Sequence, residues 1–201
     1  MAPLYVRSLA AVFTVMMLVS PFSVRAQLVP GGDLVTSMAN YGLTTFVSLL
    51  KLAKVDESLK GIAATGPVTV FAPSEAAFAV LSSAYPAQLA CVTTGQGIDN
   101  YLSQILKYHI LPNGNFTASK LTKLTQVSTL IGLPIQLEYT LPSGPLKLDM
   151  TAEVVQADAI FAGNGTVHVI DSVLIPETIL PALMDQCGGA APSSVAPVPG
   201  L

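Results

Sequence analysis

Four side chains in this sequence could share nucleophilic and acid–base work: Ser74, His109, His168 and Asp171. A serine hydroxyl becomes a nucleophile when a histidine takes its proton and a carboxylate fixes that histidine's tautomer. Their surroundings argue against this assignment. No Gly-x-Ser-x-Gly elbow encloses Ser74, and its hydroxyl stands where the following helix needs an N-cap. His109 falls on the apolar stripe of a helix, which suits a hydrogen-bonded core histidine, and Asp171 ends a strand, where a carboxylate accepts backbone N–H groups. A metal centre fares no better, because two distant histidines have no third ligand at a recognised spacing and no calcium-loop pattern occurs. The expectation is a chain with no catalytic, metal-binding or cofactor-binding residues.

Two other residue pairs carry covalent chemistry. Asn115-Phe116-Thr117 and Asn164-Gly165-Thr166 are N-glycosylation sequons, and Asn115, after a Pro-Asn-Gly turn, is expected to be exposed. Cys91 and Cys187 are expected to form one disulfide, the alternative being two buried or capped thiols. Both readings depend on the secretory route. Residues 1–26 have its layout: Arg7, an apolar run from Leu9 to Val19, and Val24-Arg25-Ala26 as a small-residue cleavage site. That run is too short for a membrane span, which needs about twenty apolar residues.

Removal of residues 1–26 takes away Arg7 and Arg25 and leaves seven lysines against twelve acids, a net charge of −5. A chain without arginine and with scattered lysines is a poor partner for nucleic acid, phosphate or anionic lipid, and it lacks an Arg-Gly-Asp tripeptide. Half of the 201 residues are hydrophobic, enough for one well-buried domain.

The elements that must hold these residues follow from periodicity. The stretch 164–176 opens with Asn-Gly turn chemistry and runs into alternating β-branched residues, so it reads as the second strand of a hairpin. Val167 and Val169 should face one side, and Thr166, His168 and Ile170 the other. Its best partner is the strand 68–72, ended by Pro73. Helices are expected at 34–40 behind Asp33, at 44–54, at 56–62, at 75–82 behind Ser74, and from Ile98 towards His109. Residues 85–97 read as turn-rich, and a short helix is expected at 119–124. Alternation then predicts a hairpin, with Ile135, Leu137, Tyr139 and Leu141 inward on one strand and Leu146, Leu148 and Met150 on the next. A strand at 153–161 and a helix at 178–184 complete the domain. Helices crowd the first half and strands the second, which makes the class α+β.

The chain resembles the fasciclin domain family. Thr69-Val70-Phe71-Ala72-Pro73-Ser74-Glu75-Ala76-Ala77-Phe78 is similar to its first signature, Tyr108-His109 to its central Tyr-His motif, and 165–176, with Gly165, His168 and Asp171, to its second signature. The departure is Ser74-Glu75-Ala76-Ala77, where the family usually carries a Thr or Asn-Asp pair. The resemblance implies a β-wedge of antiparallel and mixed strands with helices packed around it. The chain then divides into a signal peptide at 1–26, a lead at 27–32, the fasciclin-like domain at 33–187, and an Ala/Pro/Ser/Gly-rich flexible tail at 188–201 that lacks the hydrophobic end of a lipid-anchor signal.

The resemblance also implies a secreted, extracellular, non-catalytic adhesion, extracellular-matrix or cell-wall module. Its partners would be cell-surface or matrix proteins or polysaccharides. A second class is a carrier or sensor that binds a small apolar ligand in a groove of the wedge, and a hydrolase built on Ser74 stands third.

Overall fold

A computed structural model of the protein describes residues 27–29, 32–139 and 144–187. The signal peptide and the tail expected from sequence lie outside the described residues, as does Leu141. The chain runs β1 (Gln27–Val29), α1 (Leu34–Tyr41), α2 (Thr44–Leu52), α3 (Val55–Thr65), β2 (Val68–Pro73), α4 (Glu75–Ala84) and α5 (Pro86–Val92). A π-helical turn at Ile98–Leu102 leads into α6 (Ser103–Tyr108), then β3 (Ile110–Pro112), α7 (Ala118–Leu121), β4 (Gln126–Ser128), β5 (Pro134–Tyr139), β6 (Leu146–Leu148), β7 (Ala152–Ala162), β8 (Gly165–Ile170) and α8 (Leu180–Gln186).

Local chemistry sets the helix ends. Asp33 accepts from Thr36 N–H to start α1, and Gly42 ends it at φ 101°, a left-handed conformation that glycine adopts without a Cβ penalty. Ser74 Oγ accepts from Ala77 N–H at 3.2 Å to start α4. No side chain of Leu43 can cap α2, and Glu75 does so from the neighbouring helix, accepting from Thr45 N–H at 2.8 Å and from both Thr44 and Thr45 hydroxyls. The residue that departs from the family signature thus joins two helices. Burial alone would raise the Glu75 carboxyl pKa, but the hydrogen bonds from Thr45 and Thr44 outweigh it and hold it below the usual range.

The sheet runs β3-β2-β8-β7-β6-β5-β4, with β1 paired in parallel to Ile160–Ala162 of β7. At its centre β2 and β8 are parallel over Val68↔Gly165 to Pro73↔Ile170. β7 is antiparallel to β8 and carries two register shifts between Val154 and Ile160. Such bulges bend a strand and increase its twist. The sheet consequently curls until Leu130 N–H, just past β4, reaches Ile110 O of β3 at 2.8 Å, making a near-barrel wedge.

Every residue of β2 and β8 is buried. Val68, Val70, Ala72, Val167 and Val169 face a core shared with α1–α6 and α8. Phe71 and Ile170 face a second core inside the curl, with Leu111, Ile135, Leu137 and Leu148. The alternation expected of β8 holds, but neither face meets water, because helices cover one and the curled sheet covers the other.

Four local expectations are corrected. The hairpin turn is Gly163-Asn164, with Gly163 at φ 54°, and Gly165 already pairs with Ala162 as a strand residue. Residues 86–92 form helix α5 rather than turns, because Pro86 at its first turn lacks only an N–H that has no helical partner there. Met150 points to solvent, 74% exposed, because Asp149 and Met150 take positive φ and end the alternation at Leu148. The β5–β6 hairpin pairs Tyr139 with Leu146, and residues 142 and 143 of its expected turn lie outside the described residues. The lead at 27–32 contains β1, whose backbone groups are paired with β7.

Candidate functional site

Ser74, His109, His168 and Asp171 are each engaged by backbone. Ser74 Oγ caps α4. His109, fully buried at the end of α6, has Nδ1 2.8 Å from Ile105 O, while its Nε2 accepts from Leu174 N–H at 3.1 Å. Accepting at Nε2 leaves the ring proton on Nδ1, which donates to Ile105. His168 takes the opposite tautomer. Its Nδ1 accepts from Asp158 N–H at 3.0 Å, and Nε2–H donates to Phe116 O at 2.7 Å. Asp171 Oδ1 accepts from Glu153 N–H at 2.8 Å, fixing β8 to β7 at the strand end.

Both histidines are held neutral. Burial pushes His109 down to about 4, against a small opposing effect of the Ile105 carbonyl. Burial also lowers His168, although the Phe116 carbonyl and the Asp158 carboxylate work the other way. The Asp158 carboxylate lies 3.8 Å from His168 Nδ1, but that nitrogen already accepts the Asp158 amide proton, so the contact is not an ion pair. Asp158 instead accepts Ala118 N–H, at 3.1 and 3.2 Å from its two oxygens.

These contacts form one construction. Thr69 Oγ1 donates to Gly114 O at 2.8 Å and accepts from Phe116 N–H at 2.9 Å. Thr166 Oγ1 donates to Asn115 Oδ1. Together with His168 and Asp158, these threonines fasten residues 114–118 across the inner face of β2 and β8. The signature residues Thr69, Thr166 and His168 therefore act as staples for one loop. Asn115 is half-buried rather than exposed, because its amide is one of the stapled groups. Asn164 is exposed, and its Nδ2 donates to Ala63 O at 3.0 Å.

Tyr108 lies in the core inside the curl, with Phe71 and Ile170. Its hydroxyl lies 2.7 Å from Asp149 Oδ2 and 3.0 Å from Pro134 O, and burial together with the Asp149 carboxylate pushes its pKa up. Phe71 stacks obliquely on His168, with ring centroids 5.6 Å apart. Pro73 ends β2 and pairs with Ile170, while Phe78 on α4 reaches the helical core. Cys91 and Cys187 form a disulfide, Sγ–Sγ 2.01 Å, that ties the end of α5 to the end of α8.

Sequence reasoning missed Asn115 as an acceptor, Asp149 and Asp158 as backbone anchors, and Glu75 as the cap of another helix. No local pattern marks them, since each partner is a dozen or more residues away. It also missed a cavity of about 600 Å³, which opens among α4, α5, α6 and α8 at the C-terminal ends of β2 and β8.

A curled mixed sheet around a stapled central parallel pair, with helices packed on its outer face, defines an α+β wedge. The fasciclin domain model matches residues 41–176, and the chain belongs to the fasciclin domain family. The protein sll1483 of Synechocystis sp. is 34% identical over 135 residues, covering 67% of this chain and 69% of that protein. Human stabilin-1 is 31% identical over 122 residues, 61% of this chain but 4% of stabilin-1. Among solved structures, a FAS1 domain pair from the insect cell adhesion molecule fasciclin I aligns at a TM-score of 0.49 and 22% identity, over 74% of this chain and 50% of that one. Among the described residues no helix is long and apolar enough to cross a membrane, and no group of three or more His, Cys, Asp or Glu side chains could hold a metal ion.

Proposed function

We propose that this protein is a secreted, non-catalytic adhesion or matrix module that works through surface contacts with extracellular proteins or polysaccharides. The observation that carries the reading is membership of the fasciclin family over residues 41–176. The site geometry supports it, because the hydroxyl, imidazole and carboxylate groups that could do chemistry are each bonded to the domain's own backbone. In this reading residues 1–26 direct secretion and are removed, 188–201 is a flexible tail, and Asn115 and Asn164 carry glycans. The partner surface has to accept an acidic protein with no arginine after removal of 1–26.

The test is retention of the secreted, glycosylated chain on cell-wall and matrix polysaccharide arrays and on intact cells, beside a heat-unfolded control. Saturable binding by the folded protein alone is expected. Equal retention of the unfolded control, or none on any surface, would overturn the reading.

A further inference from the structure

We propose that the cavity beneath α4 binds one molecule with an apolar body and a hydroxyl or ammonium head. This site is separate from the surface contacts of the adhesion reading and does not depend on them.

Size comes first. The cavity measures about 600 Å³, within the roughly 300–1,000 Å³ range of pockets that enclose small organic ligands. Its floor is formed by Phe46, Leu106 and His109, all buried. Because both His109 nitrogens are bonded to backbone and the ring is neutral, the floor presents no free polar atom of that residue to a ligand.

The mouth is also apolar. Seven large hydrophobic side chains are exposed among the described residues, and three of them, Val80 (69%), Tyr85 (42%) and Leu180 (41%), line this one cavity. Clustered exposed apolar surface at a concave opening is what a ligand removes from water on binding.

Charge selects the head group. Among the described residues, the lining contains the carboxylates of Asp171 and Glu177 and no lysine. Asp171 commits Oδ1 to Glu153 N–H, and among the described residues no protein hydrogen bond engages Oδ2. A fatty acid or phosphate ester would set its anion against two carboxylates without a cation to offset them. A hydroxyl or an ammonium instead finds acceptors. The Cys91–Cys187 bond joins the helices that supply Leu89 and Val92 on one wall and Leu183 and Met184 on the other, so the two walls are covalently tied.

The experiment titrates the full secreted chain with dodecylamine, 1-dodecanol and dodecanoate below their micellar or solubility limits, following displacement of the neutral dye Nile red. One molecule of amine or alcohol per chain is expected, bound about tenfold or more tightly than dodecanoate. Glu177→Lys, at an exposed position, should narrow the preference for amine over dodecanoate, because Asp171 then faces an offsetting cation. Ala84→Trp, at an exposed position of the mouth, should weaken all three about tenfold while leaving the thermal melt in place. Equal affinity for the three probes, binding of none, or unchanged binding by Ala84→Trp would overturn the proposal. So would sedimentation with phosphatidylcholine vesicles containing dodecylamine without binding of the free amine, which would make the apolar mouth a membrane contact.

Discussion

Thr166 Oγ1 donates a hydrogen bond to Asn115 Oδ1 at 2.6 Å, so the last residue of one glycosylation sequon holds the first residue of the other. Thr166 is fully buried in β8, whereas Asn115 lies in the loop stapled across that strand. The same hydroxyl that defines a modification sequon in the extended chain is a structural donor in the folded one.

Thr166→Val keeps the side-chain shape and removes that donor. Equilibrium urea unfolding should show a loss of about 1 kcal/mol, the usual net worth of one such bond. Thr166→Ser should recover most of it and also preserve the Asn164 sequon. Equal stability of the valine and serine variants would mean that the bond contributes nothing.

Stability should fall as the solution is acidified. An unfolded histidine near its ordinary 6.5 binds a proton that His109, at about 4, resists in the folded state, so acid favours unfolding between those values. Its contribution is complete above about pH 6.5 and is lost as pH falls towards 4. Between pH 7 and pH 5 the loss from His109 alone is about 2 kcal/mol. His168 is lowered in the same direction and adds to it. His109→Gln should reduce the slope of unfolding free energy against pH in this window, and an unchanged slope would show that His109 does not cause it.

Gly165→Ala should destabilise by about 1–2 kcal/mol through crowding rather than backbone strain. A Cβ at this position would stand 2.6 Å from Leu34 Cδ2 and 2.8 Å from Cδ1, and Leu34 is itself buried. The double variant with Leu34→Val should recover part of the loss. Full stability of Gly165→Ala would show that α1 moves aside at no cost.

Removing the disulfide by Cys91→Ser with Cys187→Ser should lower stability by about 4–5 kcal/mol in the chain-entropy account, because the bond closes a sequence separation of 96 residues. Limited proteolysis should then cut first around α8, which the bond ties to α5. A cleavage pattern identical to that of the oxidised protein would mean that α8 is held by packing through Ile179 and Leu183 instead.

Elements whose causes are local were legible from residue order alone. The caps at Asp33 and Ser74, the glycine stop at Gly42 and the alternating faces of β2 and β8 all follow from side chains within a few residues of each other. Asp171 as an acceptor at a strand end was legible for the same reason. Local pattern failed at Met150 and at 86–92, where positive φ at two consecutive residues and a proline tolerated in a first helical turn reversed what composition suggested.

The roles of the polar residues emerge only once the chain is folded. Thr69, Thr166 and His168 reach the 114–118 loop across 45 to 52 residues of sequence, and no periodicity encodes which carbonyl or amide a buried side chain will meet. The cavity is likewise a property of packing, because its walls come from helices separated in sequence and joined at Cys91 and Cys187. Residue types declare which groups need partners when water is excluded. Chain geometry alone supplies the partner, and here it turned a possible nucleophile, two bases and a carboxylate into the internal fastenings of a fasciclin wedge.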